Sequence, residues 1–269
     1  MTPVALTIAG SDSGGGAGIQ ADLKTFAANG VFGTSVITAL TAQNTQGVSA
    51  IHDAPLVFIA AQIEAIFVDF DVAAVKIGML SRAETIRVVA GELRRRNAPH
   101  IVLDPVMVAT SGDRLLSEDA VAALRTELMP LAEIVTPNLH EAAVLTGKPL
   151  AGTEQEMEAQ ARDIFAFGPR AVLIKGGHGT SDEAVDLLVG GDGAVTRVSA
   201  KRIDTKNTHG TGCTLSSAIA ANLAKGAPLI EAVRAAKDYV TGAIAAADQL
   251  KVGHGHGPLN HFYKNWSTR

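Results

Sequence analysis

Cysteine and aromatic residues are scarce in this chain of 269 residues, which has one cysteine, Cys213, and only 4% aromatic side chains. A single cysteine excludes an intrachain disulfide framework and a cysteine-rich zinc site, and it is typical of a reducing compartment. Because aromatic residues are so few, we expect a core built largely from Ala, Val, Ile and Leu.

Long apolar segments and excess positive charge are also missing. No window approaches the ~20 apolar residues that are needed to span a membrane. The N-terminal segment MTPVALTIAGSDSGGG has no basic region and only a short apolar run, unlike a signal peptide. The net charge of -4 disfavours a general nucleic-acid binder. These absences predict a soluble, cytoplasmic protein with no membrane or nucleic-acid partner.

Strand-like and helix-like runs alternate along the chain. Residues 4–10 and 72–77 predict strands, whereas the apolar spacing in residues 17–28 and 83–96 predicts helices. This alternation predicts an α/β fold with a mostly parallel central sheet flanked by helices on both faces. No linker or internal repeat divides the chain, so we expect a single domain over residues 1–269.

Residues with suggestive chemistry follow the predicted strands. Ligands of parallel α/β sheets bind at the carboxyl ends of the strands. A chance distribution would scatter such residues over both ends of the sheet, so their shared location predicts an enzyme. The residues in question are Gly10, Gln43, Lys76, Met79, Asp104, Glu141 and Lys175.

Two glycine-rich segments precede predicted helices. Residues 14–18 offer free amides to an anion, but a plain turn is an equally good interpretation, because neither a dinucleotide motif nor a Walker motif is present. Residues 204–213, DTKNTHGTGC, are more specific. There the amides of Gly210 and Gly212 and the positive helix end would face an anion. The alternative is an ordinary helix start capped by threonine.

Asp104 and Glu141 are the candidate metal ligands. Neighbouring strand ends can bring the two carboxylates together around Mg²⁺, through water, because Mg²⁺ keeps much of its hydration shell. Glu141 is alternatively a favourable acid at a helix N-terminus. Lys175 follows a strand and could reach a phosphate as a point charge. The histidines of residues 254–261 suggest a metal-binding tract or, preferably, a Gly/His surface loop.

Together these segments resemble one family closely, the hydroxymethylpyrimidine/phosphomethylpyrimidine kinases of thiamine biosynthesis, which belong to the ribokinase-like superfamily. The resemblance runs in order through nearly the whole chain and is far more specific than any single motif. The matching segments are AGSD (9–12), GGAGIQAD (15–22), TAQNT (41–45), KIGM (76–79), LDPVM (103–107), TPN (136–138), EA (141–142), KGGH (175–178), TKNTHGTGC (205–213) and GHGP (255–258).

The resemblance implies a bifunctional kinase that uses ATP to phosphorylate 4-amino-5-hydroxymethyl-2-methylpyrimidine (HMP) and then phosphorylates HMP phosphate to the diphosphate. It also implies a homodimer and the following site residues. They are Gln43, Gly10, Asp22, Met79 and Val106 for the pyrimidine, Gly210, Thr211, Gly212 and Cys213 for a catalytic anion hole, Lys175, Thr208 and Lys206 for ATP, and Asp104 and Glu141 for Mg²⁺.

Two other functions fit parts of this pattern. A pyridoxal or pyridoxine kinase shares the fold and binds a flat ring with a hydroxymethyl arm, but Gln43 and Cys213 favour the pyrimidine. A non-catalytic binding protein would have to keep the anion hole, both acids and Lys175 without using them. Sugar and vitamin kinases of the superfamily usually carry an aspartate base where this chain has Cys213. The identity of the general base therefore stays open.

Overall fold

A computed structural model describes residues 1–107, 117–177 and 182–266, so His178 of the KGGH segment lies outside the described residues. The strands are β1 (Val4–Asp12), β2 (Phe32–Asn44), β3 (Gly47–Asp53), β4 (Val72–Ile77), β5 (Ile101–Leu103), β6 (Ile134–Val135), β7 (Ala171–Lys175), β8 (Glu183–Gly190) and β9 (Val195–Lys201). The helices are α1 (Gly18–Ala28), α2 (Leu56–Asp69), α3 (Ala83–Arg95), α4 (Glu118–Ala123), α5 (Leu139–Thr146), α6 (Glu154–Phe165), α7 (Thr211–Ala224) and α8 (Leu229–Ala245).

Within the described ranges, nine strands form one sheet in the order β3-β2-β1-β4-β5-β6-β7-β8-β9. The strands from β2 to β7 in this order pair in parallel, whereas β3 on one edge and β8 and β9 on the other pair antiparallel. The carboxyl ends of the parallel strands therefore share one edge, as the sequence predicts. In the same ranges, no helix is long and apolar enough to cross a lipid bilayer.

Both faces of the sheet are covered by helices, because alternate strand residues point to opposite faces. Leu6 and Ile8 of β1 pack into the apolar layer formed with α2 to α6. Ala5 packs on the other face, into the layer formed with α1, α7 and α8. Burying one Leu or Ile side chain contributes roughly 1.5–3 kcal/mol, so these two layers hold the sheet in place.

Helix α7 is buried along most of its length and consists mainly of small residues. Every residue from Thr214 to Leu223 is buried. Because Ala and Ser side chains are short, α7 can pack closely on the centre of the sheet, where it contacts β1, β4 and β5. This packing fixes the N-terminus of α7 at the carboxyl edge.

Two elements differ from the sequence pattern. Strand β3, which forms a hairpin with β2, is mostly exposed and lacks a regular apolar alternation, so the sequence did not indicate it. The sequence pattern over residues 117–127 predicts one helix, but the segment begins as α4 and ends in one π turn, Leu124–Leu128. Pro130 follows, and proline cannot donate the hydrogen bond that would continue an α-helix.

Candidate active site

A cavity of about 660 Å³ opens at the carboxyl edge of the sheet. Its walls come from the ends of β1, β2 and β4, from the first turn of α7, and from β8, β9 and α8. This volume is typical of pockets that bind small organic ligands. The cavity lies at the edge where ligands of parallel α/β sheets bind.

The N-terminus of α7 faces this cavity through Gly210, Thr211, Gly212 and Cys213. Gly210 has a φ of 84°, a conformation that glycine adopts without steric cost. A Cβ on Gly210 would also overlap the carbonyl oxygen of Gly16. Because the first amides of a helix have no partner within that helix, this end suits a negatively charged group.

An acid and a lysine lie beside the helix end. Lys175 Nζ donates to Asp104 Oδ1 at 2.8 Å, and the hydroxyls of Thr136 and Ser216 donate to the same carboxylate at 3.2 Å. Burial alone would raise the pKa of Asp104, but Lys175 and Lys76 hold it below its ordinary value. Asp104 is therefore a carboxylate, and Lys175 is its counter-ion.

Glu141 caps α5 and also faces the cavity, so the helix-cap interpretation does not exclude the metal-ligand one. Its carboxylate accepts the Asn138 amide at 2.7 Å, and the Asn138 side chain accepts the Glu141 amide at 2.9 Å, so the pair caps α5. Glu141 also lines the cavity. Burial raises its pKa to about 7, an effect that Lys175 opposes and Asp104 reinforces.

The carboxylates of this site can be judged by what a divalent metal ion requires of its ligands. Among the described residues, no group of three or more His, Cys, Asp or Glu side chains could hold a metal ion, and this includes the histidines near the C-terminus. Asp104 and Glu141 offer two carboxylates on one wall of the cavity. Mg²⁺ is commonly bound by one or two carboxylates, with water and phosphate oxygens completing its shell. The residues fit Mg²⁺ that arrives with a nucleotide.

Gln43 also lines the cavity, and its Oε1 accepts from the Thr41 hydroxyl at 3.1 Å. Gly10, Met79 and Val106 line the same cavity. The contact between Gly10 and Met79 is close, because a Cβ on Gly10 would lie 2.7 Å from Met79 Cε. The structure therefore brings four of the five residues assigned to the pyrimidine into one cavity.

Asp22 is the fifth residue that the resemblance assigns to the pyrimidine. Contrary to that expectation, it does not line the cavity. It is fully buried, and both its carboxylate oxygens lie 2.8 Å from Lys76 Nζ. The hydroxyls of Thr7 and Ser217 also donate to it. Burial alone would lower the pKa of Lys76, but the charge of Asp22 raises it, so Lys76 stays protonated. Asp22 acts as the counter-ion of Lys76.

The thiol of Cys213 is neutral at physiological pH. Burial raises the pKa of Cys213 to about 11. The charges of Asp22 and Asp104 also raise this pKa, whereas the charge of Lys76 lowers it. A helix N-terminus alone would have lowered it. The thiol therefore adds no negative charge to the end of α7.

The first glycine-rich segment is a turn rather than an anion site. Asp12 is buried, and its carboxylate accepts the amides of Gly14, Gly16 and Ala17 at 2.8–3.0 Å. His209 Nε2 lies 3.1 Å from the same carboxylate. Burial alone would raise the pKa of Asp12, but these hydrogen bonds lower it. The sequence alone points to no role for Asp12 or His209, although an acid that precedes glycines is a signal for such a turn.

Of the three residues that the resemblance assigns to ATP, Lys175 and Thr208 line the cavity and Lys206 does not. Lys206 is exposed on the loop before α7, which differs from the expectation. A buried pair, Asp186 and Lys237 at 2.7 Å, also lines the cavity. Apolar residues form the rest of the wall, and the sequence could not separate them from core residues of a helix or strand. They are Ala184, Ala200, Ile203, Leu215, Val240 and Ile244.

The fold and this edge define a kinase for a small molecule, with the architecture of the ribokinase-like superfamily. The family model described as phosphomethylpyrimidine kinase matches residues 12–260. The hydroxymethylpyrimidine/phosphomethylpyrimidine kinase of Rhizobium meliloti is 62% identical over 99% of each chain. This chain belongs to the phosphomethylpyrimidine kinase family.

Two solved structures support the same assignment. The phosphomethylpyrimidine kinase of Clostridium difficile is 46% identical, with a TM-score of 0.80 over 90% of this chain and 100% of that one. Pyridoxal kinase of Bacillus subtilis, solved as an ADP complex, is 38% identical, with a TM-score of 0.89 over 97% of this chain and 98% of that one. The sequence predictions of fold, family and ATP-dependent phosphotransferase activity are confirmed.

Proposed function

We propose that this chain transfers the γ-phosphoryl group of ATP first to the hydroxymethyl group of HMP and then to the resulting monophosphate. The observation that carries this proposal is the continuity of one cavity, which Gln43, the N-terminus of α7 and Lys175 all line. The high identity to the Rhizobium kinase favours the pyrimidine over pyridoxal. Incubation with ATP and HMP, pyridoxal or pyridoxine, followed by mass spectrometry of the products, tests the substrate.

Each part of the cavity has a task in this reaction. The amides of α7 neutralise the charge that moves with the phosphoryl group, which is the main task in phosphoryl transfer. Lys175 and Thr208 contact the phosphates of ATP, while the apolar wall around Val240 accepts the base. The neutral Cys213 thiol keeps the end of α7 free of negative charge. Asp104 and Glu141 would hold Mg²⁺, which neutralises phosphate charge when it is bound.

Gln43 is proposed to recognise the aminopyrimidine ring, because a carboxamide offers a donor and an acceptor side by side. We expect Gln43→Ala to raise the KM for HMP on the order of 10-fold, since leaving a buried polar group unpaired costs about 1–3 kcal/mol. The KM for ATP should be nearly unchanged, and steady-state kinetics with each substrate varied in turn measure both values. Unaltered HMP kinetics would remove Gln43 from the site.

Asp104 and Glu141 are expected to act through Mg²⁺ rather than as bases. The variants Asp104→Asn and Glu141→Gln should need more Mg²⁺ for half-maximal rate, because each removes one negative charge from the site. Excess Mg²⁺ should restore part of the activity. Titrations of rate against Mg²⁺ at fixed ATP check this. Titration curves that coincide with that of the parent would show the assignment to be wrong.

We also propose a homodimer, while the cytoplasmic location stays a prediction. Exposed apolar side chains are concentrated on the β2–β3 hairpin and on the first turn of α2. They are Leu40, Ile51, Leu56, Val57 and Phe58. A surface of this kind is typical of a protein interface. Light scattering should give the mass of two chains for the parent and of one chain for Phe58→Glu. A single-chain mass for the parent would contradict the dimer.

A further inference from the structure

The C-terminal segment of residues 253–261, GHGHGPLNH, is here called the C-terminal strap. The sequence favoured a Gly/His surface loop for this segment. The structure shows this loop running between two other loops that border the cavity, the β2–β3 turn and the loop before α7. Its first residues are exposed, and Leu259, Asn260 and His261 are buried.

The strap is bonded to the turn that follows Gln43. The hydroxyl oxygen of Thr45, two residues beyond Gln43, accepts the amides of His254 at 3.2 Å and Gly255 at 3.1 Å. The carbonyl oxygen of Thr45 accepts the His256 amide at 2.9 Å. The approach is so close that a Cβ on Gly255 would overlap the Thr45 carbonyl.

The strap is also hydrogen-bonded to the loop that leads into α7. The amide of His209 donates to the Gly257 carbonyl at 3.1 Å. The Asn207 side chain in turn accepts the Gly257 amide at 3.0 Å. A Cβ on Gly257 would overlap that side chain. Asn207 and His209 lie three and one residues before Gly210, so this contact fixes the approach to the end of α7.

The buried end of the strap reaches Gly210 through one intermediate. The Thr214 hydroxyl donates to the Gly210 carbonyl at 2.8 Å, and His261 Nε2 lies 3.0 Å from that hydroxyl oxygen. The hydrogen bond between His261 and Thr214 therefore joins the buried end of the strap to the first turn of α7. The Tyr239 hydroxyl donates to the His261 carbonyl at 2.8 Å and anchors the strap to α8.

We propose that the C-terminal strap is a positioning element of the active site, which sets the β2–β3 turn carrying Gln43 against the loop carrying the anion-binding amides. The proposal rests on the proposed function, because it assigns these two loops to the two reacting partners. In this arrangement, the contact of Gly255 with Thr45 sets the position of the pyrimidine-binding turn. The contact of Gly257 with Asn207 sets the position of the amides that bind the phosphoryl group. A shift of about 1 Å in a bound partner can cost on the order of 100-fold in rate, so both contacts matter for turnover.

Two wedge variants separate the two sides. Gly255→Ala pushes the strap from Thr45, and Gly257→Ala pushes it from Asn207. Neither glycine has a positive φ, so the added methyl acts by its volume and not through backbone strain. Gly91→Ala is the matched control, because a Cβ there meets no atom within 4 Å and the residue lies in α3.

We expect Gly255→Ala to raise the KM for HMP on the order of 10-fold with little change in kcat. Gly257→Ala should lower kcat for both phosphorylations on the order of 10-fold, with little change in the KM for HMP. Gly91→Ala should match the parent. Equal changes of KM and kcat in the two wedge variants, or no change in either, would overturn the proposal.

Hydrogen exchange supplies a readout that does not depend on turnover. Amides of residues 46–52 should exchange faster in Gly255→Ala and at the parent rate in Gly257→Ala. If the parent does not phosphorylate HMP, the proposed function fails while this exchange result still decides the role of the strap.

If a wedge variant does not fold, substitutions of Thr45 take its place. Thr45→Val should reproduce the higher KM for HMP, and Thr45→Ser should restore the parental KM. A Thr45→Val variant with parental KM contradicts the proposal.

Discussion

Replacing Gly210 with alanine is expected to lower kcat for both phosphorylations by on the order of 10²- to 10³-fold, the effect of losing a preorganised anion donor. Gly210 has a φ of 84°. The added Cβ would also overlap the Gly16 carbonyl oxygen, which is backbone and cannot rotate away. The α7 N-terminus must therefore shift relative to the Gly16 backbone, which displaces the amides that would bind the phosphoryl group. Rates with HMP and with HMP phosphate as separate substrates measure the loss.

Gly226 provides the control for this variant. It follows α7 and has a φ of 85°, but a Cβ there would meet no atom within 4 Å. Gly226→Ala thus has the strain of a left-handed alanine, about 1–2 kcal/mol, without the overlap. It should lower the melting temperature and leave kcat within about 2-fold of the parent, because that strain lies away from the cavity. Equal losses of kcat in the two variants would contradict the role given to Gly210.

Cys213→Asp is expected to separate the two phosphorylations, keeping or increasing the first and reducing the second on the order of 10³-fold. The monophosphate carries nearly two negative charges, and a carboxylate ~4 Å away at an effective dielectric near 20 repels one unit charge by about 4 kcal/mol. The native thiol avoids this repulsion, because burial raises the pKa of Cys213 to about 11. Lys76 offsets the new charge only in part, because it is already paired with Asp22.

Cys213→Ser is the matched variant, because it is neutral and similar in size. It should reduce both steps by similar factors, which Cys213→Asp should not. Separate assays that start from HMP and from HMP phosphate give the two factors. If Cys213→Asp affects both steps equally, charge repulsion does not explain the thiol, and Cys213 is merely a small residue that fits the turn.

The residues that sequence reasoning located well share a simple property. Gln43, Asp104 and Lys175 lie at or just after strands, and the parallel order of the sheet brings such ends to one edge whatever the details of packing. The glycines before α7 were recognisable for a similar reason, because a helix start and a close backbone approach have local signatures. The order of strands and helices was visible in the apolar pattern.

The remaining features depend on contacts between distant parts of the chain. Asp22 follows a glycine-rich motif in the sequence. It becomes a buried counter-ion only because folding brings it to Lys76, which lies 54 residues away along the chain. The apolar residue Val240 belongs to the cavity wall because of how α8 lies on the sheet. The C-terminal strap has no periodic pattern, and its role arises from hydrogen bonds to Thr45 and Asn207, which are 210 and 50 residues away.

The central claim is that one cavity carries out two successive phosphoryl transfers on a pyrimidine. A time course with the parent enzyme, excess ATP and HMP, analysed by mass spectrometry, tests it most directly. The account predicts that HMP phosphate forms first and is then converted to HMP diphosphate, with pyridoxal and pyridoxine phosphorylated at a lower kcat/KM. Absence of the diphosphate, or a higher kcat/KM for pyridoxal than for HMP, would contradict the account.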